Sequence, residues 1–337
     1  MKGDALAQQP VFTVIGSNSF SGASFVAHLL KQGHRAIGMS RSEQPHDAFL
    51  PYRWDATAGG FDFHQLDLNT DLGAICDLIN EAKSTHVVNF ASQSMVAESW
   101  LNPDHWYMTN VVSTVRLHEA LRKMPFLKRY VHVSTPEVYG STSGDVTEAA
   151  PFNPSTPYAV SRAAADMNLR IFHQHYGFPV VYTRAANVFG PGQQLYRIIP
   201  RTILCIRSGV KLMLHGGGAS ERSFIHIDDV SDATLRIATG GRDGEAYHIS
   251  TPRQISIRAL VELICARMGT TIDQVAEVVG ERAGKDAAYW LNSDKLRGEL
   301  GWRDQVSLEQ GIDQTIAWVD QNLTALQALP QSYIHKP

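Results

Sequence analysis

The stretch that decides the fold is Val11-Phe12-Thr13-Val14-Ile15-Gly16-Ser17-Asn18-Ser19-Phe20-Ser21-Gly22. Its apolar and β-branched first half predicts a short strand that ends at a glycine turn. Apolar residues at helical spacing follow up to Gly33, and a second strand is predicted at 35–39. Strand, tight turn, helix and strand make a βαβ unit, in which the two strands pair in parallel through a right-handed crossover.

The same alternation continues along the chain. Further helices are predicted at 72–82, 105–123 and 157–176, and further strands at 87–90, 130–133 and 180–183. Apolar strands between amphipathic helices are typical of a parallel sheet covered by helices on both faces. We therefore expect an α/β fold with a doubly wound parallel sheet.

The pattern changes after Arg184, where glycine and proline accumulate and the helices become less regular. We expect a dinucleotide-binding domain at 10–184, to which segments near 224–250 return. A smaller C-terminal lobe at 185–330 is expected to form a substrate cleft against it.

Composition excludes several classes of protein. With 337 residues, 44% hydrophobic and 19% charged, the chain can bury a sizeable core, which excludes a disordered, collagen-like or coiled-coil protein. A net charge of −3 provides no basic surface for nucleic acid or a membrane. The three cysteines show neither metal-ligand spacing nor a disulfide pattern, and no stretch is apolar enough for export or a bilayer. We expect a cytoplasmic protein without a metal site.

The glycine turn predicts a site for the pyrophosphate of a dinucleotide, because backbone N–H groups at a helix N-terminus bind anions. Gly16 makes the turn and Gly22 allows the helix to pack closely, while Ser19 stands where a complete pattern has its middle glycine. A strand–glycine–helix turn without any ligand is the alternative interpretation.

The second strand ends in Met39-Ser40-Arg41-Ser42, without the acidic residue that binds a ribose 2′-hydroxyl. Arg41 and the neighbouring hydroxyls suit a 2′-phosphate. The expected cofactor is therefore NAD(P), with a lean towards NADP; alternatively, Arg41 is a solvated loop residue.

Tyr158 and Arg162 lie one turn apart on one face of a predicted helix. A nearby positive charge favours the phenolate and is expected to lower the pKa of Tyr158, which makes it usable as a base towards a hydroxyl. The stretch Ser134-Thr135-Pro136-Glu137 begins where a strand ends, which is where open α/β sheets bind ligands.

At this point the sequence resembles the extended short-chain dehydrogenase/reductase family, and within it the nucleotide-sugar dehydratases and epimerases. The resemblance runs from about residue 11 to 302 and rests on motifs in the family's order. Besides the glycine turn and Tyr-x-x-x-Arg, these are Leu66-Asp67-Leu68, Asn89-Phe90-Ala91-Ser92-Gln93-Ser94, Asn110, Arg184-Ala185-Ala186-Asn187-Val188-Phe189-Gly190-Pro191, Arg222 to Val230, Arg282-Ala283-Gly284-Lys285-Asp286 and Leu300-Gly301-Trp302.

The resemblance implies a Rossmann-type fold and three groups of site residues. The cofactor-binding group is Gly16, Asn18, Ser19, Phe20, Gly22, Arg41, Asp67, Leu68, Ala91, Ser92, Ser134, Tyr158 and Arg162. The group that binds the nucleotide-diphosphate sugar is Gln93, Ser94, Asn187, Arg197, Arg222 and Arg282. The catalytic group is Thr135, Glu137, Tyr158 and Arg162. The helices at 105–123 and 157–176 resemble the pair that forms a four-helix homodimer interface in the family.

Two departures from the family pattern bear on the chemistry. Arg162 replaces a lysine that binds the nicotinamide ribose, and the two side chains differ in geometry. Pro136 stands where dTDP-glucose 4,6-dehydratases have an aspartate. GDP-mannose 4,6-dehydratases also lack that aspartate and keep the glutamate, here Glu137.

The resemblance favours a 4,6-dehydratase, which converts an NDP-hexose to an NDP-4-keto-6-deoxyhexose by oxidation at C4, loss of water and return of the hydride to C6. Tyr158 is expected to take the 4-hydroxyl proton, Thr135 to bind the same hydroxyl, and Glu137 to remove the C5 proton. An epimerase, a UDP-glucuronate decarboxylase and a 4-keto-sugar reductase stay open, as does Glu137 as a capping carboxylate. Arg162 also leaves open a sensor that binds NADP or a nucleotide sugar without turnover.

Overall fold

The computed structural model describes residues 10–55, 59–142, 144–280 and 290–336. Seven parallel strands form its central sheet, namely β1 (Val11–Ile15), β2 (Arg35–Ser40), β3 (Phe61–Gln65), β4 (His86–Asn89), β5 (Arg129–Val133), β6 (Val180–Ala185) and β7 (Ala246–Ile249). Their order is β7-β6-β5-β4-β1-β2-β3. Because β1 pairs with both β2 and β4, the strand order reverses beside β1, and such a reversal point is where open α/β sheets bind ligands.

Helices cover both faces of the sheet, and some of those after residue 190 surround a separate hydrophobic core, which we call the second lobe. They are α1 (Phe20–Lys31), α2 (Leu72–Glu81), α3 (Pro103–Tyr107), α4 (Thr114–Leu121), α5 (Pro157–Tyr176), α6 (Ile198–Ser208), α7 (Ile227–Gly240), α8 (Ile257–Arg267), α9 (Ile272–Val275), α10 (Asp294–Leu300), α11 (Leu308–Gln321) and α12 (Leu323–Ala328). The expected α/β fold with a doubly wound parallel sheet is confirmed.

Short strands and single turns complete the lobes. The strands are Asp145–Val146, Asn187–Phe189, Leu212–His215, Glu221–Arg222, Phe224–His226, Ile255–Ser256, Ala276–Val279 and Trp290–Leu291. The 3₁₀ turns are Asp47–Phe49, Pro51–Arg53, Ala97–Trp100, Pro136–Tyr139 and Gly216–Gly218.

Strand side chains alternate between two hydrophobic cores, one on each face of the sheet. Val14 and Val88 pack in the core beneath α1 and α7, whereas their neighbours Ile15 and Val87 pack in the core on the α2 and α5 side. This period of two explains why the strands read as continuous apolar runs. A third core around Ile203 belongs to the second lobe.

Two elements after residue 220 return to the sheet. Helix α7 packs against α1, and β7 pairs in parallel with β6, with Tyr247 opposite Thr183. The buried Trp302 joins the same core, and its indole N–H donates to the carbonyl of Asp229 over 3.1 Å.

The helix predicted at 105–123 is confirmed as one helical stretch at 103–121, but it is not a regular α-helix throughout. The region contains α3, a π-helical segment at Met108–Ser113, and α4. Hydrophobic spacing does not reveal this change, because the π-helical segment keeps the same face of the helix buried.

In the described part of the chain, none of the helices has the length and apolar character needed to cross a bilayer.

Candidate active site

A cleft opens at the carboxyl ends of β1, β4, β5 and β6. Its main cavity has a volume of about 760 Å³, with walls from both lobes. Twelve of the predicted site residues line it: Ser19, Phe20, Ser92, Ser94, Ser134, Thr135, Glu137, Tyr158, Arg162, Asn187, Arg197 and Arg222.

Backbone geometry requires glycine at two positions of the turn after β1. Gly16 has φ +84°, and a Cβ on it would lie 2.7 Å from the backbone nitrogen of Ala91. A Cβ on Gly22 would lie 2.2 Å from the Gly16 carbonyl oxygen. Both positions therefore require glycine.

Ser19 has a structural role at the position of the missing middle glycine. Its hydroxyl donates to the Gly16 carbonyl over 2.7 Å and accepts from the Gly22 N–H over 3.1 Å, so it caps α1 and holds the turn. The first turn of α1 carries no acidic residue. A backbone-lined, uncharged helix N-terminus of this kind fits the pyrophosphate of a dinucleotide.

A second cavity of about 470 Å³ lies beside the ends of β2 and β3. Arg41, Asp67 and Lys336 are among its lining residues. Asn18 fixes the loop after β2, because its side-chain amide donates to the carbonyl oxygens of Ser42 and Glu43 over 2.9 and 3.1 Å. Leu68, the residue directly after Asp67, is buried. The adenosine half of a dinucleotide fits this place in the fold.

The loop after β4 is fastened by Asn110, which lies in the π-helical segment and is fully buried. Its side chain accepts from the Gln93 N–H over 2.9 Å and donates to the Gln93 carbonyl over 3.0 Å and to Ser161 over 2.9 Å. Gln93, predicted to bind the sugar nucleotide, is not among the residues that line the main cavity, and its side chain donates to the Lys336 carbonyl over 2.7 Å. The neighbouring Ala91 N–H donates to the Asn89 side chain over 2.9 Å.

Three predicted catalytic side chains come together on the cavity wall. Tyr158, on the first turn of α5, forms a side-chain hydrogen bond with Thr135 and is 8% exposed. Pro136 starts a 3₁₀ turn that Thr135 caps, and this turn places Glu137 on the same wall.

The expectation of a lowered Tyr158 pKa is wrong for the chain as it stands. Burial raises the pKa above its ordinary value, and the Glu137 carboxylate raises it further. Arg162, the Thr135 hydrogen bond and Arg197 act in the opposite direction and only partly offset this effect. Sequence spacing shows the Tyr158–Arg162 pair but neither the burial nor the facing carboxylate.

Arg162 points along the wall towards the end of β5. Its guanidinium donates to the Val133 carbonyl, and Nη2 lies 3.3 Å from Nε2 of His132. Its Nε atom is buried and has no hydrogen-bond partner among the described residues. An unused donor on the cavity wall fits a ribose hydroxyl.

Sequence reasoning missed Asp166, one turn beyond Arg162 on the same helix. Its Oδ2 accepts from the Ser134 hydroxyl over 2.8 Å and from Arg184 over 2.7 Å, and its Oδ1 lies 3.3 Å from His132. Burial alone would raise the pKa of Asp166, but Arg184 and His132 hold it well below its usual range. The spacing of an acid four residues after Arg162 was the available signal.

Four of the six residues predicted to bind the sugar nucleotide line the main cavity. Ser94, Asn187, Arg197 and Arg222 line the main cavity, where Arg201 adds a cation that the sequence did not suggest. Arg282 lies outside the described residues. Across the described ranges, no group of three or more histidine, cysteine or acidic side chains is arranged to hold a metal ion.

Comparisons with known proteins agree with this geometry. The family model described as GDP-mannose 4,6 dehydratase matches residues 13–315. A dTDP-glucose 4,6-dehydratase of Xanthomonas campestris pv. campestris is 31% identical over 334 residues, which covers 94% of this chain and 95% of that protein. The dTDP-D-glucose 4,6-dehydratase of Homo sapiens is 34% identical over 262 residues, or 74% of each chain.

Solved structures show the same fold. The dTDP-glucose 4,6-dehydratase DesIV of Streptomyces venezuelae, solved with NAD bound, has a TM-score of 0.86 and 31% identity, and the match covers 94% of this chain and 98% of that one. The Bacillus anthracis dTDP-glucose 4,6-dehydratase, also in complex with NAD, has a TM-score of 0.84 at 30% identity, with 94% and 98% covered. The NAD in these two neighbours does not support the lean towards NADP.

Proposed function

We infer that the chain acts on a nucleotide sugar, because it belongs to the family described as GDP-mannose 4,6 dehydratase. We propose that it is a nucleotide-sugar 4,6-dehydratase, which converts an NDP-hexose to an NDP-4-keto-6-deoxyhexose and water. The observation that carries this proposal is that Thr135, Glu137 and Tyr158 share one wall of the main cavity. A hydrogen-bonding hydroxyl, a carboxylate and a phenol are the groups that this reaction needs.

We propose NAD as the cofactor, in place of the lean towards NADP, because dehydratases that share the fold carry it. Arg41 and Asp67 would hold the adenosine end, the glycine turn the pyrophosphate, and Ser134, Tyr158 and Arg162 the nicotinamide ribose. When bound there, the dinucleotide supplies a hydride acceptor for oxidation at C4 and a hydride donor for C6.

Side chains of this chain accept and donate the protons of the reaction. Tyr158 accepts the proton of the 4-hydroxyl, to which Thr135 also hydrogen-bonds. The resulting C4 carbonyl makes the C5 proton acidic, and Glu137 removes it. Because Pro136 has no acidic group, Glu137 then delivers this proton to the 6-hydroxyl, which leaves as water when the C6–O bond breaks. Return of the hydride to C6 also requires a proton at C5, and the proton that Tyr158 took from the 4-hydroxyl balances this addition and restores the phenolate.

Arginines of the second lobe bind the diphosphate of the substrate. Arg197, Arg201 and Arg222 line the main cavity. Arginine matches phosphate geometry well, so these few cations suffice in a chain whose net charge is −3. In this proposal residues 10–184, with the segments near 224–250, hold the dinucleotide, and residues 185–330 hold most of the sugar nucleotide.

We also propose a homodimer through the helices at 103–121 and 157–176. Large apolar side chains stand exposed on both: Tyr107, Met108, Val112, Val160, Met167, Ile171 and Tyr176. Contiguous apolar side chains on two neighbouring helices are typical of a protein interface.

Mass spectrometry after incubation with NAD tests the proposed reaction. The substrates are GDP-mannose, UDP-GlcNAc, dTDP-glucose, CDP-glucose and UDP-glucuronate. We expect loss of water from at least one of the four NDP-hexoses, and a Glu137→Gln variant that releases it far more slowly. The matched control is Glu81→Gln, which removes an equal charge from the exposed side of α2.

Three other results would overturn the proposal. Loss of carbon dioxide from UDP-glucuronate alone identifies a decarboxylase, and altered stereochemistry without a mass change identifies an epimerase. Binding without any conversion identifies a sensor.

A further inference from the structure

The segment that follows α12 crosses the cleft. It leaves the second lobe after Leu326, which is fully buried, and reaches the ends of β2 and β4. We call residues 333–336 the strap. Along it, Tyr333 and His335 are half-buried, whereas Ile334 between them is 62% exposed.

Aromatic contacts hold the middle of the strap. The His335 ring stacks on the rings of Trp106 and His105, with 5.1 Å between centroids in each case. Its Nε2 also lies 2.8 Å from Nδ1 of His105. The Tyr333 ring packs edge-on against Tyr196, which lines the main cavity, at 5.6 Å.

Hydrogen bonds hold the end of the strap to two loops. The Lys336 carbonyl accepts from the Gln93 side chain over 2.7 Å and from Arg41 over 3.1 Å. Gln93 follows β4 and is 3% exposed, and Arg41 follows β2. The Lys336 carbonyl therefore joins the loop after β2 to the loop after β4. The glycine turn lies between these loops, because β1 lies between β2 and β4 in the sheet.

The strap passes between the two cavities. Lys336 lines the cavity beside Arg41 and Asp67, whereas Ser92 and Ser94, on either side of Gln93, line the main cavity. A dinucleotide that extends from one cavity to the other would therefore pass the strap.

We propose that residues 333–336 form part of the cofactor site and close over a bound nicotinamide dinucleotide, so that its release is slow. This inference rests on the proposed function. In a 4,6-dehydration the hydride removed from C4 returns to C6, so the cofactor ends each cycle in its starting form. A strap that retains it does not limit turnover.

Release of NADH tests the strap directly. Protein loaded with NADH is mixed with excess NAD, and the loss of NADH fluorescence gives the dissociation rate. We expect His335→Ala to release NADH about tenfold faster, because loss of the stacking contacts removes about 1.4 kcal/mol. Deletion of residues 331–337 should have at least that effect, and Ile334→Ala, an exposed neighbour, should release at the rate of the unchanged chain.

Each outcome separates the strap from the proposed function. If the unchanged chain binds NADH and the His335→Ala and deletion variants release it at the same rate or more slowly, the strap inference is wrong and the proposed function stands. If the unchanged chain binds no NADH, both are wrong.

Discussion

At the residue scale, Tyr158 lies between charges of opposite sign. Glu137 raises its pKa and Arg162 lowers it, within a wall whose burial favours the neutral phenol. Since Tyr158 must accept a proton in the first step, the rate of C4 oxidation should rise with pH as the phenol ionises.

Replacing Glu137 by glutamine tests this charge balance. Without the carboxylate the pKa of Tyr158 falls, so the pH profile of C4 oxidation should move to lower pH, although overall dehydration slows by about 100-fold or more. Single-turnover absorbance of NADH at each pH measures the oxidation step. Glu81→Gln should leave the profile in place; a profile that Glu137→Gln does not move would contradict the assignment.

The buried Asp166 joins Ser134, Arg184 and His132 in a network beside the cavity. The folded-state pKa of Asp166 lies below that of the unfolded chain, so the carboxylate contributes stability above about pH 4, which is lost as the pH falls. Asp166→Asn leaves Arg184 buried without its partner and should lower the free energy of unfolding by about 3 kcal/mol at pH 7.

Urea unfolding measures this effect against a matched control. Asp232 forms an exposed ion pair with Arg236, so Asp232→Asn should cost less than about 1 kcal/mol. Equal losses in the two variants would show that the Asp166 network does not stabilise the fold as described.

At the element scale, the glycine turn and α1 depend on close backbone approach. Gly22→Ala places a Cβ against the Gly16 carbonyl, so the turn must open, and we expect about 2 kcal/mol of lost stability together with weaker NADH binding. Gly73 is also helical but its Cβ would meet open space, so Gly73→Ala should be neutral or stabilising by about 0.5 kcal/mol. Thermal unfolding and NADH titration distinguish the two; equal effects would contradict the role of the turn.

Sequence alone predicts the elements whose ends carry local signals. Helix α5 has the predicted bounds because Thr156 caps it, Pro157 starts it and Gly177 ends it with φ 65°. Strand β3 was missed, since Asp62 and Gln65 break its apolar run at the edge of the sheet.

The candidate site also has features that the sequence predicts and features that it does not. The glycine turn, Thr135, Glu137 and Tyr158 follow from position and family resemblance, and the structure brings the three side chains together. The direction of the Tyr158 pKa and the contacts of residues 333–336 depend on packing between distant parts of the chain, which no local pattern records.

At the scale of the whole molecule, the proposed dimer predicts a change in mass. Met167 and Ile171 are 49% and 59% exposed on α5. Their replacement by aspartate puts charges into the interface, so light scattering during size-exclusion chromatography should change from dimer to monomer at micromolar concentration. Val278→Asp, at a 61% exposed position in the second lobe, is the control. A monomeric unchanged chain would contradict the proposal.

In the proposed reaction one cavity carries out oxidation, loss of water and hydride return on the same sugar. The most direct measurement follows deuterium from C4 of an accepted NDP-hexose into the product. We expect an NDP-4-keto-6-deoxyhexose that has lost water and carries the deuterium at C6. A product without deuterium at C6, or a sugar that keeps its oxygen there, would contradict it.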